Sequence, residues 1–261
     1  MPDSDRLPKD AALLFDAVRE AGALAMTMFR QNVRCWSKAD GSPVSEADVQ
    51  VDALLRGRLQ TCRPTYGWLS EETPDSEERL GCEKIWIADP IDGTRAFVNG
   101  GNDWCIAVAL VSAGRPTAAA IYRPAHEEFY SAIAGEGARM NGKRLATTDA
   151  HTLAEAHVMG TRKSLADLAG HGILADVSGT LPLQLRLAFV ASGRVDAAVS
   201  FGNKSDWDLA AGDLIVHEAH GLAGDLSGRG YVYNRPQTWQ HGMIAAGGKR
   251  HAAIIQALGA P

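Results

Sequence analysis

Leu14, Ala17, Val18, Ala21, Leu24, Ala25 and Met28 recur at helical spacing, which predicts an amphipathic helix over residues 9–30. A polar stretch, 33–44, follows and reads as a loop containing Lys38, Asp40, Gly41 and Pro43. Ser45 opens a second helix with Val51, Leu54, Leu55 and Leu59 on one face, and Ser45-x-x-Asp48 has the spacing of a capping box. From Tyr66 the period changes. Residues 66–70 and 84–88 read as short buried strands, each running into carboxylates, and the apolar runs 104–111, 116–123 and 127–133 predict antiparallel strands.

Three glycines and an Asn-Gly pair mark a turn at 135–142. A boundary there divides the chain into an N-terminal α/β unit, 1–140, and a C-terminal α/β unit, 141–261. In the second unit strand-like runs (156–159, 195–200, 243–246) alternate with helix-like ones (183–192, 207–220, 249–258). The fold class is therefore layered α/β.

Composition narrows the function. The 261 residues are 46% hydrophobic and 22% charged, and 26 basic against 31 acidic side chains leave a net charge of −5. That balance argues against direct nucleic-acid contact, but a metal ion would still let an acidic chain take an anionic substrate. Cys35, Cys62, Cys82 and Cys105 form no C-x-x-C pair, so neither a zinc site nor a disulfide framework is expected, and reduced thiols suit the cytoplasm. The N-terminus is polar, unlike a signal peptide, and the longest apolar runs, 105–111 and 117–121, are too short to span a bilayer.

Acids gather where apolar runs end. Glu71 and Glu72 follow one strand in WLSEE, Asp89 and Asp92 leave another in WIADPIDGT, and Asp208 begins an apolar helix in SDWDLAAG. Clustered carboxylates repel one another unless a hard cation neutralises them, and oxygen ligands with few histidines suit magnesium, manganese or calcium. Pro90 stiffens the strand exit, and Gly93 permits a sharp turn. If Gly93-Thr94 opens a short helix, its N–H groups form an anion site beside the metals, the arrangement for phosphoryl transfer to water. Taken singly, Asp48 is a helix cap, Asp208 answers a helix dipole, Glu71-Glu72 is a solvated turn and 89–94 is a turn motif. Their joint occurrence favours a metal site. The eight histidines lack ligand spacing, with His217 and His220 read as packing or surface residues. Ser70 and Ser192 lack a base, and Trp68, Trp86, Trp104 and Trp207 are expected to pack beneath the site.

At these residues the chain resembles the inositol monophosphatase superfamily of magnesium-dependent, lithium-sensitive phosphomonoesterases. The resemblance runs through KADGSPVSEAD (Lys38, Asp48), LSEE, DPIDGT and WDLAAGDLIVHEA in the family's order. It implies an αβαβα sandwich, a homodimer, a small phosphorylated metabolite as substrate, and two to three Mg²⁺ ions. Glu71, Asp89 and the Ile91 carbonyl would hold one ion. Asp89, Asp92 and Asp208 would hold a second, and a third would lie near Glu71 through water, under the loop that carries Lys38. Thr94, oriented by Asp48, would help Glu71 position and deprotonate the attacking water, while the Gly93 and Thr94 amides bind phosphate.

Two departures bear on substrate. Inositol and histidinol phosphatases of the family usually carry a glutamate six or seven residues before the WD aspartate, where this chain has Ser200, Phe201 and Gly202. The FG-x-x-x-x-WD spacing and the LSEE form look more like the branch that removes the 3′-phosphate from 3′-phosphoadenosine 5′-phosphate. That branch usually has a Gly-Ser-Ser-like turn where this chain has Leu181-Pro182-Leu183-Gln184. Lys204 and Arg186 are candidates to meet a second phosphate, although Arg186 reads equally well as a structural surface residue. An inositol, polyol or histidinol phosphate is the alternative substrate. A regulatory partner of the transcription machinery, as some bacterial relatives are, is the alternative from another class.

Overall fold

The computed structural model describes residues 7–39, 41–148, 150–177 and 181–259. Asp40 of the expected loop lies outside them. The predicted first helix is α1 (Leu7–Met28), and its Leu14, Ala17, Val18, Ala21 and Ala25 are buried. The stretch after it is not all loop. β1 (Cys35–Ser37) pairs antiparallel with β2 (Pro43–Ser45), a hairpin with no apolar alternation to announce it because all of β1 is exposed. Ser45 then caps α2 (Glu46–Cys62) with both halves of the capping box formed.

A seven-stranded sheet follows in the order β3 (Gly67–Ser70), β4 (Lys84–Asp92), β5 (Cys105–Ser112), β6 (Arg115–Arg123), β7 (Glu128–Ile133), β8 (Gly137–Met140) and β9 (Lys143–Arg144). Only β3 and β4 are parallel; the rest is the antiparallel meander expected from the apolar runs. A short helix, α3 (Thr94–Val98), leaves β4. The second sheet has five strands in the order β11 (Leu174–Val177), β10 (His157–Gly160), β12 (Ala197–Ser205), β14 (Trp239–Gly247) and β13 (Gly221–Gly224). Four helices accompany it: α4 (Arg162–Ala166), α5 (Leu183–Ala191), α6 (Ala210–Glu218) and α7 (Gly248–Ala257).

Period-two burial assigns the layers. Trp86, Ala88, Ile106 and Val108 face α1 and α2 in one apolar cluster. Ile85, Ile87, Ala107 and Ala109 face the opposite way, into a cluster with Leu185 and Leu187 of α5, Leu214 and Ile215 of α6, and Ala198 and Met243 of the second sheet. A third cluster joins Val158, Val199 and Ile244 on the far side of that sheet to Leu165 of α4 and Ile254 of α7. The order is helix, sheet, helix, sheet, helix, the αβαβα sandwich expected. Among the described residues no helix is long and apolar enough to cross a membrane.

Candidate metal centre and active site

The site grows from a defect in β4. Pairing with β5 is regular from Lys84 opposite Ser112 to Asp89 opposite Ala107, and it resumes only at Asp92 opposite Cys105. Pro90 has no N–H to offer a ladder, so the strand bulges between the two acids. Gly93 then turns the chain at φ +103°, where a Cβ would meet the Asp103 carbonyl oxygen at 2.9 Å. Glycine is the residue that fits. α3 begins immediately after it, as its sequence led us to expect.

Thr94 Oγ1 lies 2.8 Å from Asp48 Oδ1 and 3.2 Å from the Ile91 carbonyl oxygen. Asp48 therefore does more than cap α2. Its Oδ2 accepts the Ser45 main-chain N–H at 2.8 Å while Oδ1 takes the threonine. Burial raises the Asp48 pKa despite these bonds. At the end of β3, the Lys38 ammonium donates to Glu71 Oε1 at 2.8 Å and Glu72 Oε1 at 2.7 Å. Burial opposes its charge, but the two carboxylates more than offset that and hold its pKa up. Burial pushes Glu72 to about 7, against the pull of Lys38.

Asp208 arrives from the second half of the chain. It does not begin the long helix. It closes a short 3-10 turn, Asp206–Asp208, two residues before α6, where its Oδ2 accepts the Ser205 N–H at 2.8 Å. Burial, then repulsion from Glu71, Asp92, Asp208 and Asp48, raises the Asp89 pKa well above the usual carboxylate range. Burial and Asp208 push Asp92 to about 8, and burial pushes Asp208 to about 6. These acids share one small volume. Among the described residues, however, no three His, Cys, Asp or Glu side chains form a ready chelate. The bonds explain why: Glu71 turns to Lys38, Asp208 to Ser205, and Asp92 Oδ2 to the Gln184 N–H at 2.9 Å. Asp89 Oδ1 is the exception, buried with no hydrogen-bond partner. An orphaned carboxylate oxygen among further acids fits a hard divalent cation.

The two cationic candidates sit in different surroundings. Arg186 is not a surface residue. It is 4% exposed in α5, and its Nε donates to the Leu181 carbonyl at 2.8 Å. Burial lowers its pKa, with Asp92 and Asp176 acting in the opposite sense. The surface alternative for Arg186 was open because nothing in its helical spacing shows the acids it meets. Lys204 folds onto the carbonyls of its own turn, Phe201 at 2.7 Å, Asn203 at 3.1 Å and Gly202 at 3.2 Å. Burial lowers its pKa, with Asp208 acting in the opposite sense. Phe201 packs against the third apolar cluster. Trp86 and Trp104 are fully buried and Trp68 nearly so, the packing role expected of them. His217 and His220 are exposed.

Two contributors went unread. Asp52, one turn after Asp48, accepts from the Ser70 hydroxyl and from Thr73 Oγ1 at 2.6 Å, and thereby braces the strand end that carries Glu71. Its i+4 spacing from Asp48 is the one trace in the sequence. Gln184 reaches Asp92 from α5 and left no trace at all.

Comparison with known proteins agrees with this geometry. Residues 8–260 match the inositol monophosphatase family. The chain is 35% identical to the inositol-1-monophosphatase of Rhizobium meliloti (strain 1021) over 211 residues, 77% of this chain and 78% of the relative. It is 32% identical to the Nus factor SuhB of Pseudomonas aeruginosa over 81% of this chain and 83% of the relative. The extragenic suppressor protein suhB of Bartonella henselae has the same fold, with a TM-score of 0.83 at 26% identity, covering 95% of this chain and 97% of that one. A phosphoric monoester hydrolase by this kinship, the chain belongs to the inositol monophosphatase family.

Proposed function

We propose that the protein hydrolyses a small phosphate monoester with two to three magnesium ions. Glu71, Asp89 and the Ile91 carbonyl would hold one ion, and Asp89, Asp92 and Asp208 a second. The observation that carries this reading is the Asp89 oxygen, buried without a donor among acids that each raise its pKa. Bound magnesium supplies Lewis-acid activation of a water and stabilises charge on the phosphate and leaving oxygen.

The chain's own residues do the positioning. Asp48 accepts the Thr94 hydroxyl proton, which leaves a threonine lone pair to receive and orient the attacking water. Glu71 takes that water's proton once its carboxylate leaves Lys38. The main-chain N–H groups of Gly93 and Thr94, at the start of α3, hold the phosphate, and attack proceeds in line on phosphorus.

The substrate for which we argue is a 3′,5′-bisphosphate nucleotide of the 3′-phosphoadenosine 5′-phosphate type. Support comes from Phe201, partly buried against the third apolar cluster in the stretch where a hydroxyl-binding glutamate would be needed, and from Lys204, a cation beside Asp208. The Rhizobium relative's name favours a second reading, an inositol phosphate. The Pseudomonas relative's name favours a third, a transcription partner, against which stands the net charge of −5. We propose a homodimer on the family resemblance alone, for which light scattering is the check.

Phosphate release with Mg²⁺ decides among them. The panel is 3′-phosphoadenosine 5′-phosphate, inositol 1-phosphate, histidinol phosphate and fructose 1,6-bisphosphate, each with and without lithium. Preference for the nucleotide, abolished by lithium and selectively weakened in Lys204→Ala, is the expected result. Equal or better turnover of inositol 1-phosphate overturns the substrate but keeps the centre. Release from none of them overturns the catalytic reading.

A further inference from the structure

Gln184 stands in the run 181–184 that departs from the nucleotidase pattern, and it is 0% exposed. Three hydrogen bonds meet at this one residue. Its main-chain N–H donates to Asp92 Oδ2 at 2.9 Å, its Nε2 donates to the Trp207 carbonyl at 2.7 Å, and its Oε1 accepts the Gly212 N–H at 2.8 Å. Asp92 belongs to β4 of the first sheet. Trp207 is the residue before Asp208, and Gly212 lies in the first turn of α6.

The surroundings leave little freedom. A Cβ at Gly212 would meet Leu187 Cδ1 at 2.4 Å and Gln184 Oε1 at 2.9 Å, so α6 approaches α5 closely only because residue 212 lacks a side chain. An apolar side chain at 184 would leave the Trp207 carbonyl and the Gly212 N–H without these partners in a dry interior. An asparagine is one methylene too short to keep both side-chain bonds at these lengths.

The geometry points to Gln184 as the positioning residue that sets the separation of Asp92 and Asp208, and through it the affinity of the ion those two acids share. This rests on the metal-centre reading above. Gln184 acts through the acids; fully buried, it does not meet substrate. One residue thus links Asp92, through its main-chain N–H, to the segment that carries Asp208, through its side-chain bonds to Trp207 and Gly212.

Calorimetric titration of MgCl₂ into the full-length protein tests the inference, with wild type, Asp92→Asn and Gln184→Met compared. Gln184→Met conserves volume and should weaken magnesium roughly ten-fold or more, as loss of a ligand-orienting partner does. Turnover should fall at low magnesium and recover at high magnesium with KM for the ester unchanged, a rescue that a merely structural role would not give. Should Gln184→Met fail to fold, Gln184→Glu keeps the volume and the acceptor for Gly212 while losing the donor to Trp207. Its added charge alone would tighten a cation, so weaker binding supports the inference. Wild-type or tighter affinity in the variant that folds overturns it and leaves the centre standing. No magnesium binding by wild type, or unchanged binding in Asp92→Asn, overturns the centre and this inference together.

Discussion

Asp10 and Asp89 are both almost wholly removed from solvent, yet their surroundings have little in common. Asp10, in α1, receives Arg63 Nε at 2.5 Å on one oxygen and the Tyr66 hydroxyl at 2.8 Å on the other. Asp196 is treated in the same way by Thr148, the His157 N–H and Arg250. Burial would raise its pKa, but those bonds overcome it and the carboxyl ends below its usual range. Asp89 has one buried oxygen without a donor, and its charged neighbours are acids. Asp206 also has a buried oxygen without a partner, but its other oxygen accepts from Gln240 Nε2 at 2.8 Å. A chain that supplies donors to Asp10 and Asp196 and leaves Asp89 among acids has not optimised Asp89 for stability. Concentrated negative charge left uncompensated is arranged for a cation from outside.

Substitution should separate the two kinds of acid. Asp89→Asn is expected to lower turnover by about 10³-fold or more, since an ion's contribution to charge stabilisation is several kcal/mol. Without magnesium its thermal stability should equal or exceed that of wild type. Asp10→Ala should do the reverse: turnover is kept while about 2–3 kcal/mol of stability is lost, the worth of hydrogen bonds to a charged group. Urea melts beside phosphate-release assays read both. Near wild-type turnover in Asp89→Asn would erase the contrast.

Asp213 sharpens it, being buried with the Tyr233 hydroxyl at 3.0 Å as donor and pushed by burial from 3.8 to about 6. Because the folded-state value is raised, this group's stabilising contribution is full below about pH 4 and lost as pH rises through 6. Asp213→Asn should therefore be more stable than wild type above pH 6, by about 2–3 kcal/mol, with the gain vanishing near pH 4. A gain that is constant with pH would show that packing, and not ionisation, is responsible. The smallest effect is expected at Asp52→Asn, where one of two hydroxyl donors loses its acceptor. Stability should fall by about 1 kcal/mol and turnover by about ten-fold as the strand end carrying Glu71 loosens. Restoration by Glu but not by Leu at 52 would show that the acceptor matters.

Much of this was legible because it is periodic or local. The stripe from Leu14 to Ala25 gives α1, alternation gives the two faces of the first sheet, and Ser45-x-x-Asp48 gives a capping box within four residues. The acid-rich ends of β3 and β4 could be read for the same reason, since Pro90 and Gly93 announce a broken ladder. The β1–β2 hairpin was hidden because β1 buries none of its three residues. Asp208 was placed at the start of a helix because a 3-10 turn and an α-helical first turn have the same composition. Of the two readings open for Arg186, the surface one fails, since burial of a charge depends on acids brought from elsewhere in the chain. Gln184 was invisible on principle: its bonds reach from residue 92 to residue 212, and no window of sequence contains both.

That long reach affects the order in which the protein becomes competent during synthesis. A nascent chain that has completed the whole first sheet still lacks Asp208, and any fragment ending before residue 207 lacks both the Trp207 and Gly212 anchors of Gln184. On the proposed metal reading, the ion shared by Asp92 and Asp208 would have no complete cradle until the segment carrying Asp208 has docked. It would then bind only the folded molecule and shift the balance against reopening by mass action. Resistance to a protease would grow with magnesium concentration in the full-length chain and stay flat in every shorter one.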